Sequence, residues 1–124
     1  MDSQQLAMEL ASRMQDVVPA GITVTVEDDM LWFARNGSRR SGSHACQWVT
    51  SGQGSMDALA VRASELAIND LQDFVTEETT EPWPGSSGPP RPGVRLVGRT
   101  IELWFGVHDH PVVRLRPLPL PLDG

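Results

Sequence analysis

The spacing of apolar residues predicts two amphipathic helices in this chain. The first covers residues 3–18, where apolar residues recur at intervals of three and four until Pro19 ends the pattern. The second covers residues 56–75, with Ser55 in position to cap its first turn. The residues between and after these two segments follow a different periodicity.

Apolar and polar residues alternate in the rest of the chain, as they do in half-buried strands. The predicted strands cover residues 22–26, 30–34, 44–50, 94–97, 100–107 and 112–116. A proline- and glycine-rich linker at 82–93 follows the second helix, and a tail at 117–124 alternates proline with leucine, so both should lack helical structure. No internal repeat is visible in this pattern.

The order of elements favours a single α+β domain over residues 1–124. Short connections make neighbouring strands antiparallel. We therefore expect one mostly antiparallel sheet of five or six strands with two helices on one face, in the order α-β-β-β-α-(linker)-β-β(-β). This order resembles that of secretion chaperones of the type III kind, and the resemblance implies an acidic dimer that holds extended partner segments. Separately, Leu71–Gly85 is similar to a stretch of small uncharacterised actinobacterial proteins, which implies no activity.

The second helix has more apolar surface than one sheet should cover. Its apolar residues span about 220° of the helix circumference, roughly twice what packing on a single sheet requires. The excess should meet a second surface, which could be the first helix, the proline-rich linker or another copy of the protein. We predict a partner or dimer interface that consists of Val61, Ile68 and Val75, spaced by sevens on this helix, with Leu118, Leu120 and Leu122 of the tail.

The formal charge of −6 is concentrated in one part of the sequence. Residues 57–81 contain seven acidic residues and one arginine, so the net negative charge of the whole chain lies in this segment. An acidic chain repels phosphate backbones, which argues against nucleic acid as a partner. All ten basic residues are arginines, a bias typical of a GC-rich bacterial genome, and the lack of lysine excludes Schiff-base and P-loop chemistry.

The remaining composition predicts a cytoplasmic protein. No apolar run approaches the roughly 20 residues that a bilayer span requires, so no membrane association is expected. The first ten residues place acidic residues early and lack a basic region before an apolar one, which argues against a signal peptide. The single cysteine cannot form an internal disulfide.

Four residues form the most specific candidate for a metal or catalytic site. His44 and Cys46 are two positions apart, as are His108 and His110, so on neighbouring strands they could supply the four ligands of a zinc site. Against this, Asp109 and the following proline are turn formers, which favours a hairpin tip. Cys46 is also a candidate nucleophile, although a small buried apolar role is the favoured interpretation.

The other motifs favour structural roles. Ser51–Ser55 precedes a helix but lacks the lysine of a phosphate-binding loop, and the carboxylates of the second helix form a solvated face. Arg116–Pro121 resembles a proline-rich docking peptide, with an extended tail as the favoured alternative. We therefore predict a non-catalytic protein-interaction module without a cofactor, with a chaperone-like homodimer as one form that it could take. The alternative is a small metal-binding or Cys/His-dependent enzyme or sensor that uses His44, Cys46, His108 and His110.

Overall fold

The computed structural model describes residues 2–36, 39–47, 54–85 and 90–121. Helix α1 covers Ser3–Gln15 and helix α2 covers Met56–Thr79. The strands are β1 (Ile22–Glu27), β2 (Met30–Arg35), β3 (Arg39–Ser43), β4 (Pro92–Val97), β5 (Thr100–Val107), β6 (His110–Arg114) and β7 (Leu118–Pro119). A 3₁₀ turn, Ala45–Gln47, follows β3. The predicted interface residue Leu122 and positions 48–50 of the predicted third strand lie outside the described residues.

The strands form two separate antiparallel sheets. The first has the order β1-β2-β3, and the second has the order β4-β5-β6 with β7 paired to β5. The predicted α+β class is confirmed, whereas the single sheet of five or six strands is wrong. Each sheet closes through short hairpin turns, and the 24-residue helix α2 carries the chain from one sheet to the other. Because α2 packs against both sheets, β3 and β4 lie on either side of a helix and do not pair with each other.

The third strand lies earlier than predicted, at Arg39–Ser43, and the described part of the predicted range 44–50 contains a 3₁₀ turn at Ala45–Gln47. Its sequence, RRSGS, contains no large apolar residue, so no alternation of apolar and polar residues could predict a strand there. The strand is held instead by its partner β2: the guanidinium of Arg40 lies 4.2 Å from the centre of the Trp32 ring, and Gly42 is paired with Trp32. The buried hydroxyl of Ser43 then marks the end of the strand.

Helix α2 lies at the centre of the molecule. It packs against α1, against both sheets and against the 3₁₀ turn, so its wide apolar arc is covered from several directions. The linker covers it as well, because the side-chain amide of Gln72 donates hydrogen bonds to the carbonyls of Trp83 and Pro90. The Trp83 ring packs edge-on against Phe105 with centroids 5.2 Å apart. The second surface expected from the sequence is therefore supplied by the chain itself.

The tail is extended at a sheet edge, as predicted. Leu118 pairs with Ile101 of β5, and Leu118 and Leu120 are buried. Arg13 of α1 fixes this segment, because its buried guanidinium donates at 3.0–3.1 Å to the carbonyls of Arg116 and Pro117. An exposed proline-rich docking peptide is therefore excluded for residues 117–121.

The element order repeats itself, which the sequence pattern did not reveal. A helix followed by three consecutive antiparallel strands occurs twice, as α1 with β1-β2-β3 and as α2 with β4-β5-β6, to which β7 is added. The middle strand of each set, β2 or β5, contains the tripeptide Leu-Trp-Phe, at 31–33 and at 103–105. In both sheets the leucine and phenylalanine are buried, while the tryptophan points to the opposite face. Trp32 is paired with Gly42 and Trp104 with Gly93, so each indole lies beside a glycine on an edge strand. A large aromatic side chain covering an edge glycine stabilises a sheet.

These two pairs allow a matched test of sheet packing. A Cβ atom at Gly93 would lie 2.3 Å from the Trp104 ring, whereas at Gly42 the nearest atom would be the flexible methyl of Met30 at 2.7 Å. Gly93→Ala should therefore lower the free energy of unfolding by about 1–3 kcal/mol, and Gly42→Ala by less. Urea unfolding of both variants measures the difference. An equal loss of unfolding free energy in the two variants would show that Gly93 is not packed more tightly against Trp104 than Gly42 is against its neighbours.

Candidate functional site

The four predicted metal or catalytic residues do not form one site. His44 is exposed after β3, and Cys46 is fully buried in the 3₁₀ turn. His108 lies in the turn between β5 and β6, and His110 is exposed at the start of β6. Over the described ranges, no group of three or more His, Cys, Asp or Glu side chains could hold a metal ion. The structure does not bring the two pairs together, because residues 44–47 follow the first sheet without forming a strand and His108 and His110 belong to the second sheet.

Cys46 is a buried apolar residue. Burial, and to a smaller degree the charge of Asp29, raises the pKa of its thiol to about 12. A thiol with so high a pKa carries almost no thiolate near neutral pH, and the thiolate is the reactive form. The sequence interpretation of Cys46 as a small core residue agrees with this environment, and a nucleophilic role does not.

The predicted interface residues are used inside the subunit. Ile68, Val75, Leu118 and Leu120 are buried within one chain, and Val61 is partly buried against the same core. The four buried side chains are therefore enclosed within one subunit, and Val61 alone of these five is partly exposed. The inference from excess apolar surface is corrected accordingly, because a single sheet was assumed where two sheets share α2.

The exposed side of α2 carries a groove that the sequence did not predict. Three depressions with volumes of about 200, 240 and 320 Å³ follow this side in series. The first is lined by Phe33, Phe74 and β3, and the second shares Gly42 and Asp70 with it. The third shares Leu66 with the second and reaches the start of β4. We refer to the three depressions together as the α2 groove.

The charged side chains that line the α2 groove are mainly acidic, and Arg91 lines its third depression. Glu65, Asp70, Asp73 and Glu77 line it, and we call these four residues the acidic stripe. Three of them are spaced by four or eight residues, which places them on one face of the helix. The carboxylate of Asp70 also accepts a 2.6 Å hydrogen bond from the Ser43 hydroxyl, so the helix is fixed to the end of β3. Within the part of the chain that the structure describes, no arginine lines the first two depressions.

An open strand edge borders the same groove. In the described chain β3 pairs with β2 on one side only, and Ser41 and Gly42 line the first depression. An edge strand presents unpaired backbone N–H and C=O groups that can pair with another extended chain. Sequence reasoning found the acidic residues and assigned them to a solvated face, but it missed the strand beside them. The concentration of acidic residues in the segment 57–81 was the sequence feature that could have pointed to this groove.

Comparisons with protein-family models, with curated proteins and with solved structures found no match. The resemblance to secretion chaperones and to small actinobacterial proteins therefore stays a prediction. No helix within the described residues is long and apolar enough to cross a membrane.

The environment of Cys46 predicts its reactivity. Because the folded pKa is about 12, native protein should react with a thiol reagent at about pH 8 far more slowly than protein unfolded in guanidinium. The unfolded thiol loses its proton at lower pH than the folded one, so stability should also fall as the pH rises from about 9 towards 12. Stopped-flow labelling measures the first effect. Equal labelling rates in both states would contradict burial of the thiol.

Proposed function

We propose that this protein binds an extended, basic segment of another protein in the α2 groove. The observation that carries the proposal is the edge of β3 beside the acidic stripe, which has no strand partner among the described residues. An extended peptide can add a strand to an open edge through main-chain hydrogen bonds, and pockets for alternate side chains then give specificity. The α2 groove supplies both the strand edge for main-chain hydrogen bonds and the depressions for side chains, within a few residues of each other.

The chemistry of the first depression favours arginine or lysine on the partner. Phe33 and Phe74 provide apolar surface, and Asp73 and Glu77 provide carboxylates around it. Long basic side chains lay their methylene stems on apolar surface and keep the charged group at the rim. Arginine in particular can donate two parallel hydrogen bonds to a carboxylate.

The proposal keeps the predicted protein partner but not the predicted homodimer. The homodimer was inferred from Val61, Ile68 and Val75, which pack inside one chain. A non-catalytic role in a bacterial cytoplasm stays part of the proposal on grounds of composition alone, because all basic residues are arginines and the single cysteine cannot form an internal disulfide. The alternative of a metal-dependent enzyme or sensor has no geometric support in the described residues.

Charge neutralisation tests the acidic stripe. A fluorescein-labelled peptide of alternating arginine and valine should bind the protein, and Asp73→Asn combined with Glu65→Gln should weaken binding roughly three- to tenfold, since two carboxylates that face the peptide are lost. Fluorescence polarisation measures the affinity. Raising the salt concentration to about 0.5 M should weaken binding as well, because salt screens exposed charges.

The matched control removes two charges elsewhere. Asp28→Asn with Asp109→Asn changes the net charge by the same amount at two exposed hairpin turns outside the groove. This double variant should bind as the unmodified protein does. Equal weakening by both double variants would mean that the peptide responds to overall charge, and the groove would then be the wrong site.

Backbone modification tests the strand edge independently. A peptide of the same sequence with alternate residues N-methylated keeps every side-chain charge but loses the N–H donors on one side. Two such peptides, methylated in the two alternate registers, should differ in affinity, because only one edge of an added strand faces β3. Equal affinity of both methylated peptides and the unmodified peptide would exclude strand addition.

A further inference from the structure

A second group of charged side chains lies on the outer face of the second sheet, around Trp104. The indole lies beside Gly93, and its Nε1–H donates a 3.1 Å hydrogen bond to the carbonyl of Gly106. The imidazole of His108, in the β5–β6 turn, packs edge-on against the indole with centroids 4.7 Å apart. Trp104 is only 8% exposed although it lies on the face opposite the core residues. The turn residue His108 therefore helps to cover the tryptophan.

Both nitrogens of His108 face a carboxylate. Nε2 lies 3.8 Å from Oε1 of Glu102 on β5, and Nδ1 lies 3.5 Å from Oδ1 of Asp109 in the turn. Nε2 is shielded from solvent and has no hydrogen-bond partner. A neutral imidazole carries a proton on one nitrogen and a lone pair on the other. Either neutral form therefore directs a lone pair at a carboxylate, and only the doubly protonated ring offers a donor to both.

Two arginines complete the surroundings of this ring. Arg95 of β4 lies 3.0 Å from Oε1 of Glu102, and Arg114 of β6 lies 3.4 Å from Oε2 of the same carboxylate. Arg114 also donates a 3.1 Å hydrogen bond to the carbonyl of His108. The arginines compete with His108 for Glu102, and they fix the carboxylate in position beside the ring. The charged groups of β4, β5, β6 and the turn thus meet at one imidazole.

We propose that the β5–β6 turn is a proton-controlled latch. When His108 binds a second proton, its two N–H groups donate to Glu102 and Asp109 and hold the turn against Trp104. When the proton leaves, one nitrogen again faces a carboxylate without a donor, and the turn loosens from the sheet.

Nuclear magnetic resonance of the intact protein tests the latch. The indole N–H signal of Trp104, assigned with Trp104→Phe, should shift with pH together with the ring signals of His108. Hydrogen-exchange protection of the His110 amide, corrected for intrinsic rates, should be roughly two- to fivefold higher on the acidic side of that transition, as for an exposed ion pair. Both readouts use the unmodified chain.

Substitution identifies the responsible histidine. His108→Gln should abolish the shift of the Trp104 signal, whereas His110→Gln, two residues away and exposed, should leave it unchanged. A Trp104 signal that does not change with pH in the unmodified protein would overturn the proposal. So would a shift that persists in His108→Gln, or protection of the turn that is equal on both sides of the His108 transition.

Discussion

The structure depends on the burial of one helix. Helix α2 has 24 residues, and its apolar positions face α1, the first sheet and the second sheet. Removing this apolar surface from water is the largest favourable contribution available to a small domain. Helix α2 joins the cores of the two sheets, because Phe33 of the first sheet and Phe105 of the second belong to the same cluster of buried residues as Ile68. The arrangement of every other element follows from the need to cover this helix.

The second constraint comes from the proline-rich segments. Proline has a backbone carbonyl but no N–H, so the linker and the tail contain more acceptors than donors. Two long side chains supply the missing donors from helices: Gln72 of α2 donates to the carbonyls of Trp83 and Pro90, and Arg13 of α1 donates to those of Arg116 and Pro117. Both side chains are buried, and both are nonetheless satisfied. Buried polar residues on the two helices thus fix proline-rich segments that have few backbone donors of their own.

The sequence predicted the elements better than their assembly. The helices and the strands around Val24, Phe33 and Leu103 were found, because a period of two or of 3.6 follows directly from which side chains are buried. Strand β3 was misplaced because Arg40 and Gly42 are held by contacts with Trp32, and such cross-strand contacts leave no periodicity. The division into two sheets was missed for a related reason. A wide apolar arc on a helix shows that much of its surface is buried, but it does not show which elements pack against that surface. The α2 groove depends on both missing facts, so local reasoning could not find it.

The clamp between Arg13 and the tail connects two segments that are 104 positions apart in the chain. A ribosome adds residues in order, so α1 emerges long before Pro117 does. Until then the guanidinium of Arg13 has only its own helix to bind, and the edge of β5 at Thr100 and Ile101 has no partner from β7. Contacts between distant positions form late because closing a long loop costs entropy. The subunit therefore completes its fold only after Pro117 and the residues of β7 have left the ribosome, because the Arg13 clamp and the pairing of β7 with β5 both require them.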